Sequence, residues 1–168
     1  APHLRPVIST RFRPWHLAPF ALKYASLRLR RRPVLVHFEV TMRCNARCDF
    51  CDYWKTPSTE KTRELSGFVD AARAFDPLLI TWTGGEPLLR QGVDGLVSSI
   101  ARIPGIQDLA LTTNGALFAD KAQALRQAGL QRVSFSMDSL DPANFRRMTG
   151  RDGLASVLSG IRLARDLG

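Results

Sequence analysis

No run of the roughly 18 consecutive apolar residues that a membrane-crossing helix needs occurs in this 168-residue sequence. Acidic residues are missing from positions 1–32, which carry eight bases: Arg5, Arg11, Arg13, Lys23, Arg28, Arg30, Arg31 and Arg32. The remaining 136 residues hold 16 bases against 15 acids, so the formal charge of +9 belongs to a basic leader on a nearly neutral chain. Net charge therefore does not mark a nucleic-acid binder, and no nucleic-acid partner is expected. The leader also lacks the order of a secretory signal, because Lys23 interrupts its apolar stretch and the arginines follow that stretch. A composition of 45% hydrophobic and 23% charged residues excludes a disordered or fibrous chain. Cysteine is scarce and confined: Cys44, Cys48 and Cys51 fall within eight residues. An odd set this tight is no disulfide framework; it points to a reducing, cytoplasmic setting and to metal or redox chemistry.

Residues 17–30 place Phe20, Tyr24 and Leu27 at helical spacing, with the next turn near Arg31 and bases around them. A membrane-surface or RNA-binding face is the sharper reading of this pattern, and a helix packed on the entrance to the domain is the one favoured. From residue 33 the pattern is regular. Strands are expected at 34–40, 78–83, 108–113 and 132–138, where β-branched and aromatic residues concentrate. Helices are expected at about 62–75, 87–103 and 119–128, the last closed by Gly129. Asp141 and Pro142 read as the N-cap and first residue of a short helix, and residues 154–167 as the last helix.

Strand and helix thus alternate four times, which implies right-handed βαβ units and a parallel sheet. A complete eightfold barrel takes about 250 residues. The expected fold is therefore α/β, a partial TIM-like (βα) barrel of about four parallel units. A basic leader, helical in part, covers 1–32, and the N-terminal portion of a longer core covers 33–168. An initial Ala1 in place of Met agrees with a trimmed or partial chain. Without later strands one sheet edge stays open, so these residues alone are expected to self-associate and to turn over little substrate.

The strongest chemical signal is Cys44-x-x-x-Cys48-x-x-Cys51, in the string EVTMRCNARCDFCDYW directly after the first strand. Three thiolates in one loop can wrap one face of an iron–sulfur cube. With no fourth cysteine in the chain, one iron is left without a protein thiolate and is reserved for a substrate or cofactor. A zinc site of three cysteines and a histidine competes, but zinc favours paired cysteines with a downstream His, and His3, His16 and His37 all lie upstream. Three more polar or glycine motifs fall at strand ends: Gly84-Gly85-Glu86-Pro87, Thr112-Thr113-Asn114-Gly115, and Ser136 with Asp138. In parallel α/β folds ligands lie beyond the C-terminal strand ends, where glycine lets them approach the backbone. Each motif alone is compatible with a plain turn or strand; together they point to one shared mouth.

On CxxxCxxC after the first strand, GGEP after the second and TNG after the third, residues 34–168 resemble the radical S-adenosylmethionine (SAM) superfamily. The resemblance implies a [4Fe–4S] cluster on Cys44, Cys48 and Cys51, with SAM chelating the open iron. One electron would cleave the sulfonium to methionine and a 5′-deoxyadenosyl radical that takes hydrogen from a small-molecule or peptide substrate. Flavodoxin or ferredoxin would supply that electron. It also implies cofactor contacts: Phe50 to adenine, Gly85 within Gly84-Gly85-Glu86 to the amino group of SAM, and Ser136 to its ribose or carboxylate, with Asn114 of TNG at the same rim.

Within the superfamily, LTTNG and VSFSMDSLDPANFRRMTGRDGL are similar to the GTP cyclase branch of molybdenum-cofactor biosynthesis, and Thr112 matches a residue near GTP there. Two positions depart, because His37 and Thr81 stand where that branch has arginines for GTP. Neither offers the charged fork with which arginine reads phosphate. The string DYWK after Cys51 resembles the broader group that modifies peptides and other small substrates. The expectation is a radical SAM enzyme core whose substrate is open. Its rivals are the GTP cyclase itself and a non-catalytic metal- or cluster-binding module whose leader holds RNA in a salt-sensitive way.

Overall fold

A computed structural model describes residues 14–56 and 65–168. Strands β1 (Leu35–Thr41), β2 (Leu79–Gly84), β3 (Asp108–Thr113) and β4 (Arg132–Phe135) form one parallel sheet in the order 1-2-3-4. The helices are α1 (Pro14–Leu29), α2 (Ser66–Phe75), α3 (Val93–Ala101), α4 (Phe118–Ala128), α5 (Pro142–Thr149) and α6 (Leu154–Leu167). A doubly wound sheet would reverse its strand order part-way; this one proceeds sequentially with a helix in each crossover, as a (βα) barrel does. The expected partial barrel of four parallel units is the fold observed.

Alternation along the strands sorts the sheet into two faces. Phe38 and Val40 of β1, Ile80 and Trp82 of β2, and Leu109 and Leu111 of β3 form the core with residues of α2, α3 and α4. Edge-to-face aromatic pairs tie the layers together, Phe38 with Phe68 of α2 and Phe118 of α4 with Phe135 of β4. The residues between them turn to the opposite face. There the register aligns His37, Thr81, Ala110 and Arg132 in a row across all four strands. Asp108 holds the Arg132 guanidinium through both its oxygens.

Several boundaries differ from the sequence pattern for local reasons. The helix expected over 87–103 is two elements, a single 3₁₀ turn at Pro87–Leu89 and then α3, because Gly92 adopts φ +74 between them. Strand four ends at Phe135, although the Ser136 amide still donates to the Thr113 carbonyl at 2.8 Å. The helix expected from 62 is seen from Ser66, and the earlier positions of that expectation lie outside the described residues. Gly129 closes α4 in the left-handed region, and the Asp141 carboxylate accepts from the Asn144 amide at 2.8 Å as an N-cap.

The leader helix is docked, and the residue that docks it is the one that breaks its apolar stretch. Lys23 donates to Asp76 Oδ1 at 2.7 Å, to the Gly105 carbonyl at 2.7 Å and to the Pro77 carbonyl at 3.2 Å. Its side chain is only 17% exposed, and Leu27 one turn on is buried. Tyr24, expected on the packed face, is exposed instead. Pro77 and Gly105 lie just before β2 and β3, so α1 sits at the N-terminal end of the sheet. A hydrogen bond to a charged donor stabilises by about 1.5–3 kcal/mol. Replacing Lys23 by Ala is expected to lower the unfolding free energy by about 1.5–3 kcal/mol in urea titrations, with hydrogen exchange accelerated first in α1. Unchanged exchange in α1 would contradict the docking.

Candidate functional site

The three cysteines follow directly from the C-terminal end of β1. Beyond Thr41 the chain is held by the segment that leaves β2: the Gly85 amide donates to the Thr41 carbonyl at 2.8 Å and the Glu86 amide to the Arg43 carbonyl at 2.7 Å. The two backbones run so close that a Cβ at Gly84 would overlap the Thr41 carbonyl, and one at Gly85 would overlap the Arg43 carbonyl. The glycine pair is thus required by the stem of the cysteine loop itself. On its other side the loop is stitched to the end of α5, with the Arg47 amide donating to the Thr149 carbonyl at 2.8 Å and the Asp49 amide to the Met148 carbonyl at 3.2 Å. Ala46 between the first two cysteines is buried, and the Trp54 indole donates to the Cys48 carbonyl at 3.1 Å.

All three thiols are free and partly buried. Burial pushes the Cys48 thiol above its usual range, and the neighbouring Cys44, Cys51 and Asp138 push it the same way because their negative charges oppose another thiolate. Among the described residues no three His, Cys, Asp or Glu side chains converge as a single metal ion requires. A cubane takes one thiolate at each of its irons, so its ligands stand at separate corners. Three free, partly buried thiols on one short loop form a donor set suited to an iron–sulfur core.

Glu86 organises the rim from inside. Its side chain has no solvent exposure. One oxygen accepts from the Leu88 amide at 3.0 Å and the Thr113 hydroxyl at 2.8 Å, and the other accepts from the Asn114 amide at 2.7 Å. Burial raises the carboxyl above its ordinary range, while these bonds and the Arg151 charge draw it back. Among the expected cofactor contacts, Glu86 therefore has both oxygens engaged within the protein. Asn114 carries the connection outward. Its side-chain amide donates to Asn45 Oδ1 at 2.7 Å and lies 3.9 Å from Cys44 Sγ, and its Oδ1 accepts from the Ala116 amide and from Arg151.

Phe50 is 63% exposed beside the third cysteine, and Ser136 is also exposed. Thr112 is half-buried on the face opposite α2, α3 and α4, level with Ser134. The structure thus gathers the cysteine loop after β1, Gly84, Gly85 and Glu86 after β2, and Asn114 after β3 at the C-terminal ends of adjacent strands, with Thr112 within β3 and Ser136 after β4. Sequence reasoning missed Asn45, Thr149 and Arg151, whose partners lie far along the chain, and held Thr113 in its motif without its bond to Glu86. It also missed Glu39, which accepts from the Tyr53 hydroxyl at 2.5 Å and fastens the DYWK segment back to β1. That bond, with burial and the Glu39 charge, pushes the Tyr53 phenol up to about 12.

Two measurements test these contacts. Glu86→Ala leaves three donors without a protein acceptor, and losing one member of a buried charged network costs about 3–5 kcal/mol, so denaturant unfolding should move by that amount. A change under about 1 kcal/mol would contradict the arrangement. A phenol raised in the folded state contributes stability that is present below its unfolded value near 10 and is lost as pH climbs through the folded value. The ultraviolet difference titration of the metal-free chain against Tyr53→Phe should place Tyr53 at about 12. A midpoint near 10 would show that the Glu39 bond is not formed.

Residues 38–168 match the model of the Radical SAM superfamily. The GTP 3′,8-cyclase of Xanthomonas axonopodis pv. citri (strain 306) is 44% identical over 135 residues, covering 74% of this chain and 40% of that protein. The GTP 3′,8-cyclase of Alkaliphilus metalliredigens (strain QYMF) is 41% identical over 139 residues, covering 79% of this chain and 43% of that protein. The chain thus spans well under half the length of these curated relatives. Streptococcus suis SuiB bound to S-adenosylmethionine superposes with a TM-score of 0.69 at 17% identity, over 92% of this chain and 37% of that one. Methylornithine synthase (PylB) superposes with a TM-score of 0.66 at 14% identity, over 82% of this chain and 42% of that one, a likeness of fold alone. With the family model matching most of its length, the chain belongs to the radical SAM superfamily.

Proposed function

We propose that residues 33–168 are the cofactor-holding part of a radical SAM enzyme, preceded by a basic leader over 1–32 whose helix docks on it. The observation that carries this reading is the cysteine loop, free-thiolled and braced by GGEP, Asn114 and the end of α5, in a chain of this superfamily. Cys44, Cys48 and Cys51 would bind three irons of a [4Fe–4S] cluster. When bound with SAM, that cluster supplies the electron that cleaves the sulfonium and releases a 5′-deoxyadenosyl radical to take hydrogen from substrate.

The chain's own residues have distinct tasks in this reading. The Gly84–Gly85 edge receives the SAM ammonium, the exposed Phe50 ring covers adenine, and Ser136 reaches ribose or carboxylate. Asn114 orients the loop from Cys44 and Asn45, and Glu86 positions it without touching the ligand. Electrons come from a flavodoxin or ferredoxin, and the enzyme works in the reducing cytoplasm.

The substrate is a small molecule or peptide other than GTP. His37 and Thr81, which replace the arginines of the GTP cyclase pattern, are direct register partners on β1 and β2. Both losses therefore fall side by side on the sheet face opposite α2, α3 and α4, where the arginine of the same row, Arg132, stands two strands from Thr81 and is already held by Asp108. The identity of 44% to a GTP 3′,8-cyclase favours the other reading, in which GTP is bound through other groups.

Anaerobic reconstitution of the full-length protein should give cluster absorbance and about four irons per chain in the intact loop, with at least a tenfold loss in Cys48→Ala. Stoichiometric zinc without iron would overturn the reading. GTP should leave SAM consumption unchanged, and GTP-dependent formation of 5′-deoxyadenosine would restore the cyclase.

A further inference from the structure

Helix α1 has a second face that the fold does not use. At 100° per residue, Phe20, Lys23 and Leu27 share the side turned to the protein. Ala18, Leu22, Ala25 and Leu29 recur at intervals of four, three and four on the opposite side. All four are exposed, Leu22 at 72% and Leu29 at 86%. The stripe runs directly into Arg28, Arg30, Arg31 and Arg32, which are also exposed. Lys23, the remaining base of the helix, is consumed by Asp76, Pro77 and Gly105, so it takes no part on this side. No acid lies within residues 1–32 to neutralise the cluster.

We propose that the outward face of α1 is a docking surface for an anionic lipid bilayer, with Leu22 and Leu29 entering the interface and the arginines bound to headgroups. No helix among the described residues is long and apolar enough to cross a membrane, so α1 lies in the plane of the surface. Charge selects this occupant. Each base near an anionic surface strengthens attachment about fivefold, whereas a second copy of α1 brings the same uncompensated arginines against its own. The docked side fixes the orientation. Because α1 is pinned at the N-terminal end of β2 and β3, a membrane on its outer face leaves the cysteine loop, at the opposite end of the sheet, turned away from lipid.

The test is vesicle co-sedimentation of the full chain, with phosphatidylcholine alone and with a two-to-one mixture of phosphatidylcholine and phosphatidylglycerol. Binding to the mixed vesicles is expected, with little to phosphatidylcholine. The pair L22S/L29S should lose at least about tenfold, and the triple R28Q/R30Q/R32Q about a hundredfold, with circular dichroism unchanged because every altered side chain is exposed. Equal binding to both vesicle types, or to neither, would overturn the proposal. So would full retention by L22S/L29S, which would mark a charge-only patch of the kind that holds RNA. Self-association of the parent chain that L22S/L29S abolishes would assign the stripe to a second copy and overturn it as well.

Discussion

The buried carboxylate of Glu86 ties the strand ends to one another, and the rim depends on it. Its two oxygens take amides and a hydroxyl from both sides of the gap between β2 and β3. The same residue's amide grips the Arg43 carbonyl at the root of the cysteine loop. Through Asn114 the bracing reaches Asn45 and Cys44, and through Arg151 it reaches the turn beyond α5. Burying a carboxylate is unfavourable in itself, as the upward push on Glu86 records. Hydrogen bonds to its ionised form offset that cost, and they also fix the mutual placement of three loops that share no sequence proximity.

The fold was legible because its signals are periodic. β-Branched runs at two-residue spacing and apolar stripes at helical spacing repeat four times, and sequential order follows from right-handed crossovers. The misreadings were local. Gly92 splits one apolar stretch, and β4 stops at Phe135 although alternation continues to Met137.

The site was legible in a different way. Cys44, Cys48 and Cys51 are close in sequence, so their spacing displayed the cluster motif directly. Glu86 stood out as part of GGEP, but its burial and its grip on Thr113 could not be read from the string, nor could Arg151 reaching Asn114 across 37 residues. Lys23 is the sharpest case. In the sequence it interrupts an apolar stretch, and in the fold it is the half-buried pin that fastens that stretch to the sheet. Charge is a poor guide to exposure when three acceptors converge on one ammonium.

The chain therefore has two ends with different chemistry. The C-terminal ends of the strands carry thiols, glycine backbone and amides, while the N-terminal ends carry the docked leader. The central claim concerns the first of these: three cysteines hold a cube with one iron left for SAM. Mössbauer spectra of the ⁵⁷Fe-reconstituted protein, taken with and without SAM, test it most directly. One iron of the four is expected to change its isomer shift and quadrupole splitting on addition of SAM while the other three do not. Four irons that are indifferent to SAM would contradict the account.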